Sequence, residues 1–128
     1  MPFAVTLEGR LAGQLTVGNV VRGAFNSAYV GYWVDSAVAG RGVMPTALAL
    51  AVDHCFGPVG LHRMEANVRP ENSASRRVVE KLAIRNEGVA LGFLEINGEW
   101  EDHVRYAMTA EEWRIRGPEL RASWLKRT

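Results

Sequence analysis

A chain of 128 residues with 48% apolar and 23% charged residues has the profile of one folded domain with a single buried core. Its net charge of +1 at pH 7 sets up no field that would draw it to DNA or to a membrane surface. One cysteine, Cys55, excludes an internal disulfide, and no signal peptide or membrane-length apolar run is present, so the expectation is a cytoplasmic protein of one domain.

Phe3 to Leu7 reads as a strand, Glu8-Gly9-Arg10 as a turn, and Leu11 to Val21 as the antiparallel partner, with Leu15 and Val17 alternating against smaller residues. A loop around Arg22 to Asn26 leads into a third strand, Ala28 to Val34, and the three form a meander. A helix is predicted over Pro45 to Phe56, because Leu48, Ala51, Val52 and Cys55 fall at i, i+3, i+4 and i+7. Gly57-Pro58 stops it. Leu61 to Arg69 then alternates as a strand, with Met64, Ala66 and Val68 on one face and Arg63, Glu65 and Asn67 on the other. Asn72 or Ser73 caps a second helix to about Ala83, facing Val78, Val79 and Leu82 inward.

Two long strands follow, Asn86 to Ile96 and Trp100 to Met108, joined by Asn97-Gly98, a pair suited to a turn whose two central residues take positive φ. Thr109 and Glu112 form a capping-box pattern for a short helix carrying Trp113, and a last helix follows Pro118. The end of the chain, from Arg114 to Thr128, is basic: Arg114, Arg116, Arg121, Lys126 and Arg127 stand against Glu119. A solvated helical tail fits it better than a nucleic-acid arm. The order β-β-β-α-β-α-β-β-α predicts an α+β fold, a mixed and mostly antiparallel sheet with helices packed on it.

The segment from Val30 to Ala47 carries the strongest chemical signal. A strand runs into Gly40-Arg41-Gly42 and then directly into a helix with Pro45 in its first turn. Free backbone N–H groups at such a helix start, together with the helix dipole, suit a phosphate. The turn lacks the third glycine of a dinucleotide fingerprint and the Gly-Lys-Ser/Thr of a Walker loop, so a pyrophosphate turn of another kind is expected, with Arg41 as a second contact. A purely structural turn is the alternative. The second constellation runs from Asn67 to Leu82, a strand end followed by a capped helix, in which Asn72 and Ser75 fall near the same sheet edge.

Taken together, Gly-Tyr-Trp-Val-Asp, Gly-Arg-Gly, Asn-x-x-Pro-x-Asn-x-x-Ser, Val-x-Glu-Lys-Leu and Asn-Glu-Gly resemble the GNAT acetyltransferase superfamily. The late Ile-Asn-Gly-Glu-Trp-Glu-Asp-His-Val-Arg-Tyr-Ala-Met-Thr-x-x-Glu-Trp resembles its ribosomal-protein-alanine N-acetyltransferase branch, and the match covers about residues 3–113. The resemblance implies acetyl-CoA as cofactor and direct transfer of acetyl to an amine. It assigns the backbone of Tyr32, Trp33 and Val34 to the pantetheine arm, and Ala39, Gly40, Arg41, Gly42, Val43 and Met44 to the pyrophosphate. It assigns Asn72 to the pantetheine arm as well, and Ser75 to proton donation near the sulfur. It implies as acceptor a protein N-terminus, ribosomal in particular, or alternatively a small amine such as an antibiotic or polyamine.

The sequence departs from the family pattern in three places. Ala37 stands where the phosphate motif opens with Gln or Arg, and Leu82-Ala83-Ile84 replaces Leu-Gly-Phe, removing the glycine that ends the helix in a left-handed turn. The chain also starts at what looks like the family's second strand. A piece of a longer acceptor wall left out, or a short protein that completes its site with a partner or has lost activity, are the readings of that start. An exposed sheet edge there favours pairing into a homodimer. A CoA-binding module without catalysis is therefore the reading from a different class.

For a general base, Glu95 is the candidate, with Glu87 beside it on the same strand and His103 on the facing one. His54, His62 and the tryptophans Trp33, Trp100 and Trp113 read as structural, and the scattered histidines give no metal-ligand spacing.

Overall fold

The computed structural model describes residues 1–36 and 40–125, so Ala37, Ala39, Lys126 and Arg127 lie outside the described residues. Its elements are β1 (Pro2–Leu7), β2 (Arg10–Val21), β3 (Ser27–Val34), α1 (Val43–Phe56), β4 (Arg63–Val68), α2 (Ser73–Lys81), β5 (Arg85–Ile96), β6 (Glu99–Thr109) and α3 (Ala110–Trp124). The six strands form one sheet in the order β1-β2-β3-β4-β6-β5. Every neighbouring pair is antiparallel except β3 and β4, which are parallel and joined through α1. The expected α+β architecture is the observed one.

Alternation sorts each strand into a core face and an open face. Leu15 and Val17, Ala28 and Val30, Met64, Ala66 and Val68, and Val104, Tyr106 and Met108 are buried against Leu48, Ala49, Val52, Val79 and Trp113 from the three helices. Tyr29, Trp33, Leu91, Leu94 and Trp100 are exposed. Trp33 and Trp100 are thus not core, contrary to the sequence reading. Trp33 lies one residue out of phase with Val30, Tyr32 and Val34, and Trp100 stands on the outer half of the β5–β6 hairpin; Trp113 alone of the three is buried.

Both short turns obey the sequence. Glu8 and Gly9 take φ of 54° and 79°, and Asn97 and Gly98 take 52° and 83°, the paired left-handed values that match the twist of a two-residue hairpin. The C-terminal helix differs from expectation, running unbroken through Pro118 instead of restarting after it. The capping box of Thr109 and Glu112 sets its start. Trp113 and Leu120 bury one side of the helix, and Asp53 of α1 accepts from Trp113 Nε1 at 3.0 Å and from Arg121 Nη1 at 2.9 Å. Contacts on both sides of the proline hold the helix course despite the lost backbone bond.

Helix α2 ends earlier than predicted, at Lys81, and in a way the missing glycine did not suggest. Ala83 itself adopts φ of 54°, with its N–H donated to Glu80 O at 3.0 Å and the N–H of Ile84 donated to Val79 O at 3.2 Å. This is the paired bonding of a Schellman end, built on a residue whose Cβ resists that conformation by about 1–2 kcal/mol. Ala83→Gly is expected to stabilise the protein by about 1 kcal/mol, read as a higher urea midpoint with an unchanged slope; an unchanged or lower midpoint would refute the strain.

Candidate active site

The site begins where the one parallel ladder stops. β3 and β4 pair only at Ser27–Arg63, Ala28–Met64 and Tyr29–Glu65, and beyond that level β3 continues to Val34 while β4 turns to β6 alone. Among the described residues the backbone of β3 past Tyr29 therefore has a strand partner on one side only. In the antiparallel ladder with β2, Asp35 donates to Ala12 at 2.6 Å, which makes the Trp33–Gln14 and Gly31–Thr16 pairs hydrogen-bonded ones. The backbone groups of Tyr32 and Val34 point the other way, into the split between β3 and β4. Of the three β3 residues named from the sequence, Tyr32 and Val34 offer free backbone, and Trp33 spends its own on Gln14.

The glycine turn lies at the same end. Gly40 and Gly42 take φ of 84° and 79°, and Gly42 is the N-cap of α1 without any side-chain cap. Thr46 returns both its N–H (3.2 Å) and its hydroxyl (2.8 Å) to Gly42 O. The amides of Val43 and Met44 have no partner among the described residues, Pro45 has none to offer, and the first turn holds no acidic residue. Met44 contributes only its backbone, because its side chain is buried. A Cβ at Gly40 would meet no protein atom, so glycine is needed there for its dihedral angle, not for space.

A small cavity of about 70 Å³ lies beside this turn, walled by Val34, Gly40, Gly42, Val43 to Pro45 and one face of α2: Ala74, Arg77, Val78 and Lys81. Arg77 and Lys81 were missed as site residues. The signal was present, since 74, 77, 78 and 81 follow the i, i+3, i+4, i+7 spacing of a single helix face. Arg77 and Lys81 give the cradle two cations and no anion among its described walls, and Arg41 of the same turn adds a third cation on the neighbouring side. A nucleotide pyrophosphate fits that donor set.

Asn72 and Ser75 are brought together as expected, and their bonding divides their groups. Asn72 Oδ1 accepts from Ser75 N at 3.1 Å, which leaves its amide N–H groups for a ligand. Ser75 O accepts from the Tyr32 hydroxyl at 2.8 Å, a tie of 43 residues' separation that fixes the width of the split. Below it Arg76 Nε donates to the Tyr106 hydroxyl (3.1 Å), which donates to Glu80 (3.2 Å). Burial, and secondarily Tyr106, hold the Tyr32 hydroxyl well above the ordinary phenol range, so it stays a proton-bearing donor.

On the open face the same split leads into a second, larger cavity of about 550 Å³, lined by Phe25, Tyr29, Gly31, Asn67, Phe93 and Glu65 among others. Glu95 lies elsewhere, exposed on β5 opposite Trp100, four residues along β6 from the Val104 that pairs with Val68. Glu87 is locked between Arg63 (2.6 and 3.1 Å) and Arg85 (2.8 Å). Their hydrogen bonds, Arg63 first, hold its pKa down to about 2. It has no affinity for an amine proton near neutral pH. His103 is buried, with Nδ1 3.1 Å from Glu101 O. A carbonyl can only accept, so Nδ1 carries the proton.

The family model of the acetyltransferase (GNAT) domain matches residues 1–85. The chain belongs to the GNAT acetyltransferase family. Its relatives include a probable N-acetyltransferase of Bacillus subtilis, YjcK, 44% identical over 75% of this chain and 53% of the relative. The uS5-alanine N-acetyltransferase of Escherichia coli K12 is 36% identical over 83% of this chain and 55% of the relative. Among solved structures, Mycobacterium smegmatis RimJ in complex with CoA-disulfide superposes with a TM-score of 0.80 at 45% identity, covering 91% of this chain and 60% of that one. This GNAT chain thus spans about half the length of the curated relatives it matches. No helix among its described residues is long and apolar enough to cross a membrane.

The Glu87 clamp has a pH signature. A carboxylate held near 2 in the fold and near 4.3 when unfolded stabilises the fold fully above about pH 5 and loses that contribution as pH falls toward 2. The stability gap between wild type and Glu87→Gln is expected to be constant from pH 5 to 7 and to close below pH 4. A gap independent of pH down to 2.5, measured by urea unfolding, would contradict the clamp.

Proposed function

We propose that this chain forms the acetyl-CoA site of an N-acetyltransferase that acts on the free amine of a protein N-terminus, a ribosomal protein in particular. The observation that carries the reading is the split between β3 and β4, with free backbone on one wall, opening at one end beside an uncapped helix start. Identity of 36% to a uS5-alanine N-acetyltransferase supports the acceptor class.

Acetyl-CoA, when bound, supplies an acetyl group activated as a thioester. The chain's own groups divide the remaining work. The amides of the 40–44 turn, with Arg41, Arg77 and Lys81, neutralise and orient a pyrophosphate. Tyr32 and Val34 offer an N–H and a C=O each to an amide-bearing arm lying as an extra strand in the split, and Asn72 adds its side-chain N–H groups. An N–H facing the split is also the donor for a carbonyl oxygen placed there. Ser75 Oγ, in the first turn of α2, is the proton donor of this reading. Of the two β5 carboxylates, Glu87 is committed to its arginines and Glu95 stands on the outer hairpin away from the split, so neither is placed to accept the amine proton.

Calorimetry is expected to show CoA binding in the micromolar range. Mass spectrometry is expected to show acetyl transfer to peptides with a free N-terminus and none to spermidine or an aminoglycoside. No CoA binding would defeat the enzyme reading and the binding-module reading together; binding without transfer to any acceptor would leave the module. Gly40→Val forces a β-branched residue to positive φ and distorts the amide cradle, so its CoA affinity should fall about tenfold or more. Unchanged affinity would count against the pyrophosphate assignment.

A further inference from the structure

The Glu101-Asp102-His103 run has no part in the cofactor site, yet it backs the Phe93 wall of the open-face cavity. β5 and β6 pair in register from Gly88–Arg105 to Ala90–His103 and resume at Leu94–Glu101, so three residues of β5, Leu91 to Phe93, stand opposite Asp102 alone. A side-chain bond spans this bulge: Asp102 Oδ1 accepts from Gly92 N at 2.8 Å, with Gly92 at φ of 53°. A strand would otherwise send Leu91 and Phe93 to the same face. Here Leu91 is 80% exposed, while Phe93 is half-buried over the His103 ring (centroids 5.6 Å) and under the Arg105 guanidinium (5.1 Å). The Nδ1–H bond to Glu101 O fixes the plane of the His103 ring that Phe93 meets.

Phe93 thereby faces Phe25 and Tyr29 across the cavity, whose other walls at the split are Gly31 and Asn67. Glu65 is the one ionised residue among those lining it. Its side chain is 20% exposed; Oε2 accepts from Arg63 Nε at 3.1 Å, and Oε1, 3.6 Å from Arg105 Nε, is the oxygen left to meet an ammonium. Three aromatic rings and a carboxylate at the mouth of the split suit a small aliphatic residue that carries an ammonium group.

We propose that Asp102 is a positioning residue for the acceptor: by clamping the Gly92 bulge it aims Phe93 into the open-face cavity, where the N-terminal residue of a peptide docks with its ammonium toward Glu65. The proposal rests on the acetyl-transfer reading of the split and specifies its acceptor side. His103 serves the same end as the platform beneath Phe93. Asp102 touches no substrate itself and acts through the bulge.

The test uses CoA and a short peptide with a free N-terminal alanine, each titrated against wild type, Asp102→Ala, Asp102→Asn and Phe93→Ala. An asparagine Oδ1 still accepts from Gly92 N, so Asp102→Asn should bind the peptide like wild type. Asp102→Ala and Phe93→Ala should each weaken peptide binding about tenfold, the loss of one aromatic wall, and the double variant should be no weaker than Phe93→Ala alone. CoA affinity should be the same in all of them. Amide hydrogen exchange at Gly92 should speed up in Asp102→Ala and not in Asp102→Asn. Wild-type peptide affinity in Asp102→Ala, an Asp102→Asn as weak as Asp102→Ala, an additive double variant, or an equal loss of CoA binding would each overturn the proposal. CoA binding with no peptide binding in wild type overturns it too and leaves the cofactor site standing. Loss of CoA binding itself strikes the acetyl-CoA reading, whatever the peptide does.

Discussion

Everything functional in this molecule depends on two parallel strands that stop pairing. Backbone N–H and C=O groups left without partners inside a fold are costly, by about the desolvation of a peptide group each. A sheet that opens between neighbouring strands must therefore let in water or be completed by another extended chain of amides. β3 and β4 open in this way after three paired residues and stay open, because their far ends are tied to other things. β3 is held by β2 along its whole length, and β4 by β6 along all six of its residues. Tyr32 then spans the gap to Ser75 O, so the split has a defined width.

The two sides of the split differ in charge, although the chain is close to neutral. On the helix side Arg41, Arg77 and Lys81 surround the uncapped start of α1, and the helix dipole acts in the same direction. On the open side Glu65 is the ionised lining residue, and it is itself paired with Arg63 at 3.1 Å, with Arg105 at 3.6 Å. An anionic molecule is thus favoured on the helix face, while charge on the open face is balanced within its own ion pairs. Net charge could not have revealed this, because the cations of the helix face are offset by carboxylates elsewhere in the sum.

How much of this was legible in the sequence followed the range of the interactions. Turns and caps are local, so Asn97-Gly98, the Asn72 cap and the Thr109–Glu112 box were readable from single residues and their spacing. The glycine turn was readable for the same reason, as a strand end, two glycines and a helix start within residues 34–43. Side-chain burial on strands was less so. Trp33 and Trp100 read as core from their size, but phase along β3 and the reach of the β5–β6 hairpin beyond β4 put them outside. Pro118 and Ala83 show local rules overridden by packing: Trp113, Leu120 and the Asp53 bonds carry α3 past its proline, and the burial of Val79, Leu82 and Ile84 holds Ala83 in a conformation meant for glycine. Glu87 was a reasonable base by position, and only the register that sets Arg63 beside it shows why its proton affinity is lost.

The division also bears on how the two halves of such a site tolerate change. On the proposed reading the cofactor side is made largely of backbone: groups of Tyr32 and Val34 facing the split, amides of a turn, the start of a helix. Substitutions that keep φ and ψ leave those donors in place, which is why short patterns of glycine and asparagine suffice to mark them. The acceptor side is made of side chains gathered from β3, β4, the Arg22–Asn26 loop and a bulge on β5, separated by tens of residues in sequence. A single change at Gly92 or Asp102 alters its shape without touching the split. On the proposed reading, then, acceptor choice is set by the β5–β6 hairpin while the chemistry at the split stays as it is. The Glu-Asp-His run belongs to the hairpin for a geometric reason: Asp102 makes the bend, and His103 supports the ring that the bend delivers.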